Sequence, residues 1–224
     1  MLTKEHLTKP AITTRDLLDF LKTKHLHGKF LDRLKMRYRP LICPYVPLLQ
    51  RVSPDDRVGD IGCGSGQFLL LLSEFVKPSF SYGIEISQHL IDNGNELLSG
   101  LGKDRLFLET FDGSHFPPLI GTMDIIFLID VIHHVPPAVQ KTFLTNLAAS
   151  MKKGARLVIK DINAGSPLVV FNKLHDLVVS KEIGHELKPQ RVIEILKEAG
   201  LEITDVEKCT TYVYPHFTVA AKKP

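Results

Sequence analysis

Val58-Gly59-Asp60-Ile61-Gly62-Cys63-Gly64-Ser65-Gly66-Gln67-Phe68 decides how the rest of the chain is read. An apolar run ends on an aspartate, glycines recur at every second position, and a helix-like apolar stretch follows at once. That is the pattern of a strand, a tight turn and a helix. Glycine is needed in such a turn because the backbone takes positive φ, and because a ligand must reach the main chain without meeting a Cβ. The spacing narrows the ligand. It is G-x-G-x-G, and Gln67 occupies the last position of the dinucleotide fingerprint G-x-G-x-x-G. The Lys-Ser/Thr ending of a P-loop is absent too. Glu85 ends the next apolar run, 19 residues after Gly66, where a carboxylate can bind both hydroxyls of a ribose. The pair suits a nucleoside without a demanding pyrophosphate.

From this loop onward, short apolar runs alternate with helical patterns. The strand candidates are Arg57–Ile61, Ser81–Ile86, Arg105–Phe111, Met123–Val131 and Ala155–Ile162, near-continuous in Ile, Val, Leu and Phe. Such runs belong to strands buried on both faces. Helical patterns lie between them at Gly66–Val76, Ser87–Leu101 and Pro137–Met151. In the last, Phe143, Leu144, Leu147, Ala148 and Met151 share one face. The alternation predicts an α/β fold, a mostly parallel sheet with helices on both faces. Further helices are predicted over Pro167–Ser180 and Pro189–Ala199, the latter closed by Gly200 as C-cap. Leu201–Lys208 and Thr210–Ala221 then form an antiparallel hairpin. The first 40 residues read as two helices, Thr13–Lys24 behind a Thr-Thr-x-Asp cap, and Lys29–Arg37 stopped by Pro40. Residues 41–56, with Pro44, Pro47 and Pro54, read as a connector.

At 224 residues, 44% hydrophobic and 24% charged, the chain fits a single globular domain with an appendage, not a disordered or fibrous protein. No apolar run approaches the roughly 20 residues that cross a bilayer, and the N-terminus leads into no secretory h-region. Cys43, Cys63 and Cys209 form no C-x-x-C pair and read as reduced thiols of a cytoplasmic protein without a metal site. The net charge of +3 hides an asymmetry: residues 1–40 carry +6 and the remainder −3. A basic arm points to an anionic ligand, a nucleic acid or a membrane surface, or is a solvated helical face.

Acids recur along the predicted carboxyl edge of the sheet, where open α/β folds bind ligands. Asp60, Glu85, Asp112, Asp130 and Asp161 each sit near a strand end. Such a row is expected to favour a cationic ligand.

Asp-Ile-Gly-Cys-Gly-Ser-Gly, the Gly-Ile-Glu-Ile strand and Asp-Ile-Ile-Phe-Leu-Ile-Asp-Val-Ile-His-His-Val together resemble the class I, Rossmann-like S-adenosylmethionine-dependent methyltransferases. The resemblance spans residues 50–162 closely and the C-terminal hairpin in outline. It implies a seven-stranded sheet whose last strand is inserted antiparallel. It also implies a site for S-adenosylmethionine, with Asp60 and the backbone of Gly62, Cys63 and Gly64 around the methionine part. Glu85 would bind the ribose hydroxyls and Ile86 pack on the adenine. Asp112 would meet the adenine amino group with Gly113 beside the ring, while Ile129 and Asp130 close the pocket. Gly59 departs from the bulky residue usual in the family and is expected to weaken local packing.

Methyl transfer from a sulfonium asks the protein for alignment and, in some cases, proton removal. The sequence lacks the Asn/Asp-Pro-Pro-Tyr/Phe of base-amino methylation and a Pro-Cys nucleophile. The candidate general bases are therefore His134, His133 and His175. His133 and His134 follow Asp130 directly, where one of them can equally cap the loop before Pro136. Asp161 is expected to line the pocket, and Lys160 to pair an anionic acceptor or an acid. Residues 1–45 read as a helical extension that lies over the acceptor or simply packs on the sheet, and 46–224 as the cofactor-binding domain. The basic extension suits a small-molecule acceptor with a carboxylate, a phosphate or a carrier-linked phosphopantetheine. The expected activity is methylation of such an acceptor at oxygen, by a monomer or homodimer. The alternatives are an RNA methyltransferase, a non-catalytic cofactor-binding protein and, last, a dehydrogenase.

Overall fold

The computed structural model describes residues 12–24, 30–171, 173 and 184–224 of the chain. Seven strands form one sheet: β1 (Arg57–Ile61), β2 (Phe80–Glu85), β3 (Leu106–Thr110), β4 (Ile125–Ile129), β5 (Arg156–Ile162), β6 (Glu202–Thr211) and β7 (Tyr214–Lys222). Their order is β3-β2-β1-β4-β5-β7-β6. β1 to β5 pair in parallel, and β7 enters antiparallel between β5 and β6. The chain order reverses between β1 and β4, which opens the crevice where doubly wound sheets take their ligands.

The sheet is covered on both faces, as the unbroken apolar runs require. One face packs α1 (Thr14–Thr23), α3 (Tyr45–Leu49), α4 (Gln67–Phe75) and α5 (Gln88–Leu97) around Leu17, Leu49, Leu71, Val58 and Phe127. The other buries Leu128, Ile159 and Phe217 beneath α6 (Pro137–Ser150) and α7 (Pro189–Glu198) through Leu144, Leu147 and Ile195. The Thr13 cap forms as expected, its hydroxyl accepting from Asp16 N while Asp16 accepts from Thr13 N. Gly200, at φ +82°, ends α7.

Four expectations are corrected. α2 (Phe30–Ile42) runs through Pro40 instead of stopping before it. Tyr45–Leu49 is a short helix within the predicted connector. The hairpin turns at Tyr212-Val213, not at Cys209, because Tyr212 itself takes φ +55° and no glycine announces the turn. Gly59 leaves no packing defect: a Cβ there would lie 3.2 Å from Met123 Cγ and 3.4 Å from Ile126 Cγ1, so neighbouring side chains fill its space. Of the predicted helix Pro167–Ser180, residues 169–171 are helical; residues 172 and 174–180 lie outside the described residues.

Candidate active site

β1 ends at Ile61 and the glycine loop climbs over β2: Gly62 N and Cys63 N both donate to Ile84 O, at 2.8 and 3.1 Å. Gly62, Gly64 and Gly66 all have positive φ. A Cβ on Gly62 would lie 2.5 Å from Val131 Cγ2, whereas one on Gly64 would meet nothing within 4 Å. Gly62 is thus glycine for packing, and Gly64 leaves open space beside the main chain.

That space belongs to a cavity of about 190 Å³ lined by Asp60, Gly62, Cys63, Gly64, Ile129 and, from above, Met36, Arg39 and Tyr45. Asp60 is 2% exposed. Burial pushes its carboxyl up to about 8; Arg39 pulls it back and Glu85 adds to the rise. Among the described residues no donor hydrogen-bonds it, and Arg39 acts on it through charge alone. Glu85 accepts from Gly64 N at 3.1 Å and Ser87 N at 3.0 Å, which fixes its carboxylate between the loop and the start of α5.

Further along the edge, Ile86 is 68% exposed beside Gly113. Asp112 is exposed and accepts from Ser114 N and His115 N, both at 2.7 Å; those bonds, the His115 backbone first, hold its carboxyl below the usual range. Asp130 accepts from Lys160 Nζ at 2.6 Å and Arg39 Nη2 at 3.2 Å. Asp161 does not line the cavity: it is buried on the opposite face, where His133 Nδ1 lies 2.5 Å from its Oδ1. The expected row of acids as a trap for a cationic ligand is therefore corrected. Four of the five are engaged by internal partners, Glu85 and Asp112 by backbone N–H groups, Asp130 by Lys160 and Arg39, and Asp161 by His133. Alternation along β5 puts Lys160 and Asp161 on opposite faces.

His133 is buried, and His134 beside it is exposed with the two rings 4.0 Å apart. Neither lines the cavity. His175 lies outside the described residues. Among the described residues no group of His, Cys, Asp or Glu could hold a metal, and no helix is long and apolar enough to cross a membrane.

A family described as a methyltransferase domain matches residues 33–206. The chain belongs to this family of S-adenosylmethionine-dependent methyltransferases. The 27-O-demethylrifamycin SV methyltransferase of Amycolatopsis mediterranei is 25% identical over 93% of this chain and 78% of its own. The protein-L-isoaspartate O-methyltransferase of Opitutus terrae is 31% identical over 77% of this chain; the chain spans 66% of it, just under two thirds. The magnesium protoporphyrin IX methyltransferase of Synechocystis, solved with bound SAH, superposes at a TM-score of 0.68 with 17% identity over 94% of each chain. At that identity the likeness is one of fold.

For a methyltransferase the cavity fits the donor. Asp60, hydrogen-bonded by no described residue, suits an ammonium once it is ionised, the open side of Gly64 admits a ligand against the backbone, and exposed Ile86 offers an apolar face to a flat ring. Sequence reasoning missed Tyr45 and Gln67 as lining residues and placed Arg39 only in an extension that lies over the acceptor or packs on the sheet. Arg39 and Tyr45 sit next to Pro40 and Pro44, which read as helix stop and connector. Gln67 was read only as a broken fingerprint.

Proposed function

We propose that this methyltransferase moves the methyl group of S-adenosylmethionine to a hydroxyl oxygen of a small-molecule acceptor. The observation that carries this reading is the 2.5 Å contact between His133 Nδ1 and Asp161, both buried, His133 four residues past the end of β4 and Asp161 near the end of β5. With Nδ1–H donating to Asp161, the orientation of the imidazole ring is fixed. When bound, the cofactor supplies an electrophilic methyl group whose carbon–sulfur electron pair stays with sulfur. His133 accepts the proton that the acceptor hydroxyl loses as its oxygen bonds to the methyl carbon.

Asp60 faces the ammonium of the cofactor, and the backbone of Gly62, Cys63 and Gly64 surrounds its methionine part. Glu85 takes the ribose hydroxyls. Ile86 and Gly113 flank the adenine, Asp112 meets its amino group, and Ile129 with Asp130 closes the pocket. His134 and His175 contact the acceptor. Residues 1–45 serve as a lid over residues 46–224, supported by Met36, Arg39 and Tyr45 on the cavity wall. The basic extension suits an acceptor bearing a carboxylate, a phosphate or a phosphopantetheine carrier, and two relatives carry O-methylation in their names or substrates.

Incubation with methyl-tritiated S-adenosylmethionine tests this against three acceptor sets: hydroxylated small molecules, bulk tRNA and unfolded protein. The expected result is alkali-stable label on a small molecule, lost in His133→Ala and Asp161→Asn while cofactor binding persists. Label on RNA alone, which the basic arm would favour, overturns it.

A further inference from the structure

Pro40 lies inside α2. Proline has no N–H, so the carbonyl four residues earlier, that of Met36, lacks its α-helical donor. The side chain of Gln67 supplies one: its Nε2 donates to Met36 O. Gln67 is the first residue of α4, directly after the glycine loop, and is 6% exposed. Both partners line the cavity.

Two more ties hold the same helix. Arg39 Nη2 reaches Asp130 at 3.2 Å, and His216 Nε2, on β7, donates to Ile42 O at 2.7 Å. The three ties follow one another at three-residue steps along α2 and fasten it at the start of α4, after β4 and near the start of β7. The Gln67 tie differs from the others because it comes from the residue that directly follows the glycine loop. A shift of α2 and a shift of the loop that surrounds the ligand are then one event.

We propose that Pro40 and Gln67 form a catch that sets how long the cofactor stays bound: the proline presents a carbonyl, the glutamine holds it, and α2 closes over the cavity. The inference rests on the reading of that cavity as the cofactor site. It makes Gln67 a positioning residue that acts through α2. It also accounts for a proline in a helix interior, where it weakens the helix unless the carbonyl it frees is used elsewhere.

The test is the release rate of tritiated S-adenosylhomocysteine from the full chain, chased with excess unlabelled ligand. Gln67→Met keeps the size of the side chain and removes the donor. Release should accelerate about tenfold, the factor for one ordinary hydrogen bond. Pro40→Ala restores an N–H at residue 40 that recaptures Met36 O within the helix. It should melt no earlier than the parent yet release the ligand faster. The double variant should be no faster than either single one, because both remove the same bond. A purely structural role for Pro40 predicts the reverse: a firmer helix and unchanged or slower release. Unchanged release in Pro40→Ala therefore overturns the catch, even if Gln67→Met fails to fold. A parent chain that retains no label would instead count against the cofactor site itself.

Discussion

Lys160 Nζ lies 2.6 Å from Asp130 Oδ1, with the lysine wholly withdrawn from solvent at the carboxyl edge of the sheet. Asp130 itself has φ +55°, a left-handed conformation that is strained for a residue with a Cβ. Burial alone would raise its carboxyl; Lys160 and then Arg39 hold it well below the usual carboxylate range instead. Burial would likewise neutralise the lysine, and Asp130 keeps it charged. The charge at the end of β4 is thus balanced from within the chain, and the backbone that leads into His133 and His134 is fixed with it.

Lys160→Met leaves Asp130 with only its Arg39 partner, so the loss of stability should approach the lower end of a broken buried pair, about 3 kcal/mol. Arg39→Met should cost under about 1 kcal/mol, since that side chain is 40% exposed. Urea unfolding of the two variants checks the ordering. Equal losses would mean that Lys160 is not the main counter-charge.

Gly62 and Gly64 share positive φ but differ in surroundings. Gly62→Ala meets both the left-handed penalty and the contact with Val131, and should lose about 3 kcal/mol of stability. Gly64→Ala has room for its Cβ and should lose about 1 kcal/mol. Its methyl group would occupy the space assigned to the ligand, so its main defect should be weaker binding of S-adenosylhomocysteine. Thermal melts with and without that ligand separate the two; a Gly64→Ala chain that binds normally would remove Gly64 from the site.

The sheet was legible because parallel strands buried on both faces cannot alternate in polarity, and β1 to β5 show as apolar runs. The glycine loop and the acids near it were legible for a related reason: they stand where strands end. What escaped was which remote side chains pair: Lys160 was expected to meet an anionic acceptor or an acid, and the acid is Asp130. Arg39 and Asp130 are 91 residues apart, and Asp130 and Lys160 are 30 apart. A lysine inside Val158-Ile159-Lys160-Asp161-Ile162 was nevertheless a signal, since a charge in a doubly buried strand demands a buried partner. Pro40 misled for the same reason, because its compensation lies at Gln67 on another element.

His216 ties α2 to the sheet and is 3% exposed, with no partner for Nδ1 among the described residues. Burial, followed by Lys160, pushes it down to about 4. A histidine with a lowered value favours the fold when neutral, so this stabilisation is complete above about pH 6.5 and is lost as pH falls toward 4. The full effect is about 3 kcal/mol. Unfolding free energy measured from pH 7 to 4 should fall more steeply in the parent than in His216→Gln. Parallel curves would show that His216 does not carry the acid sensitivity.

On the proposed reading Asp60 and Glu85, at the ends of β1 and β2, hold the methyl donor. The most direct measurement is calorimetric titration of S-adenosylhomocysteine into the full chain between pH 6 and 8.5, with Asp60→Asn and Glu85→Ala alongside. Burial and Glu85 keep Asp60 protonated below about pH 8, and an ammonium needs it ionised. Affinity should therefore strengthen as pH rises, by up to about tenfold per unit. Binding should be accompanied by proton release that Asp60→Asn abolishes. Glu85→Ala should weaken binding at every pH. Binding that ignores both substitutions, or a parent chain that takes up no ligand, would contradict the account.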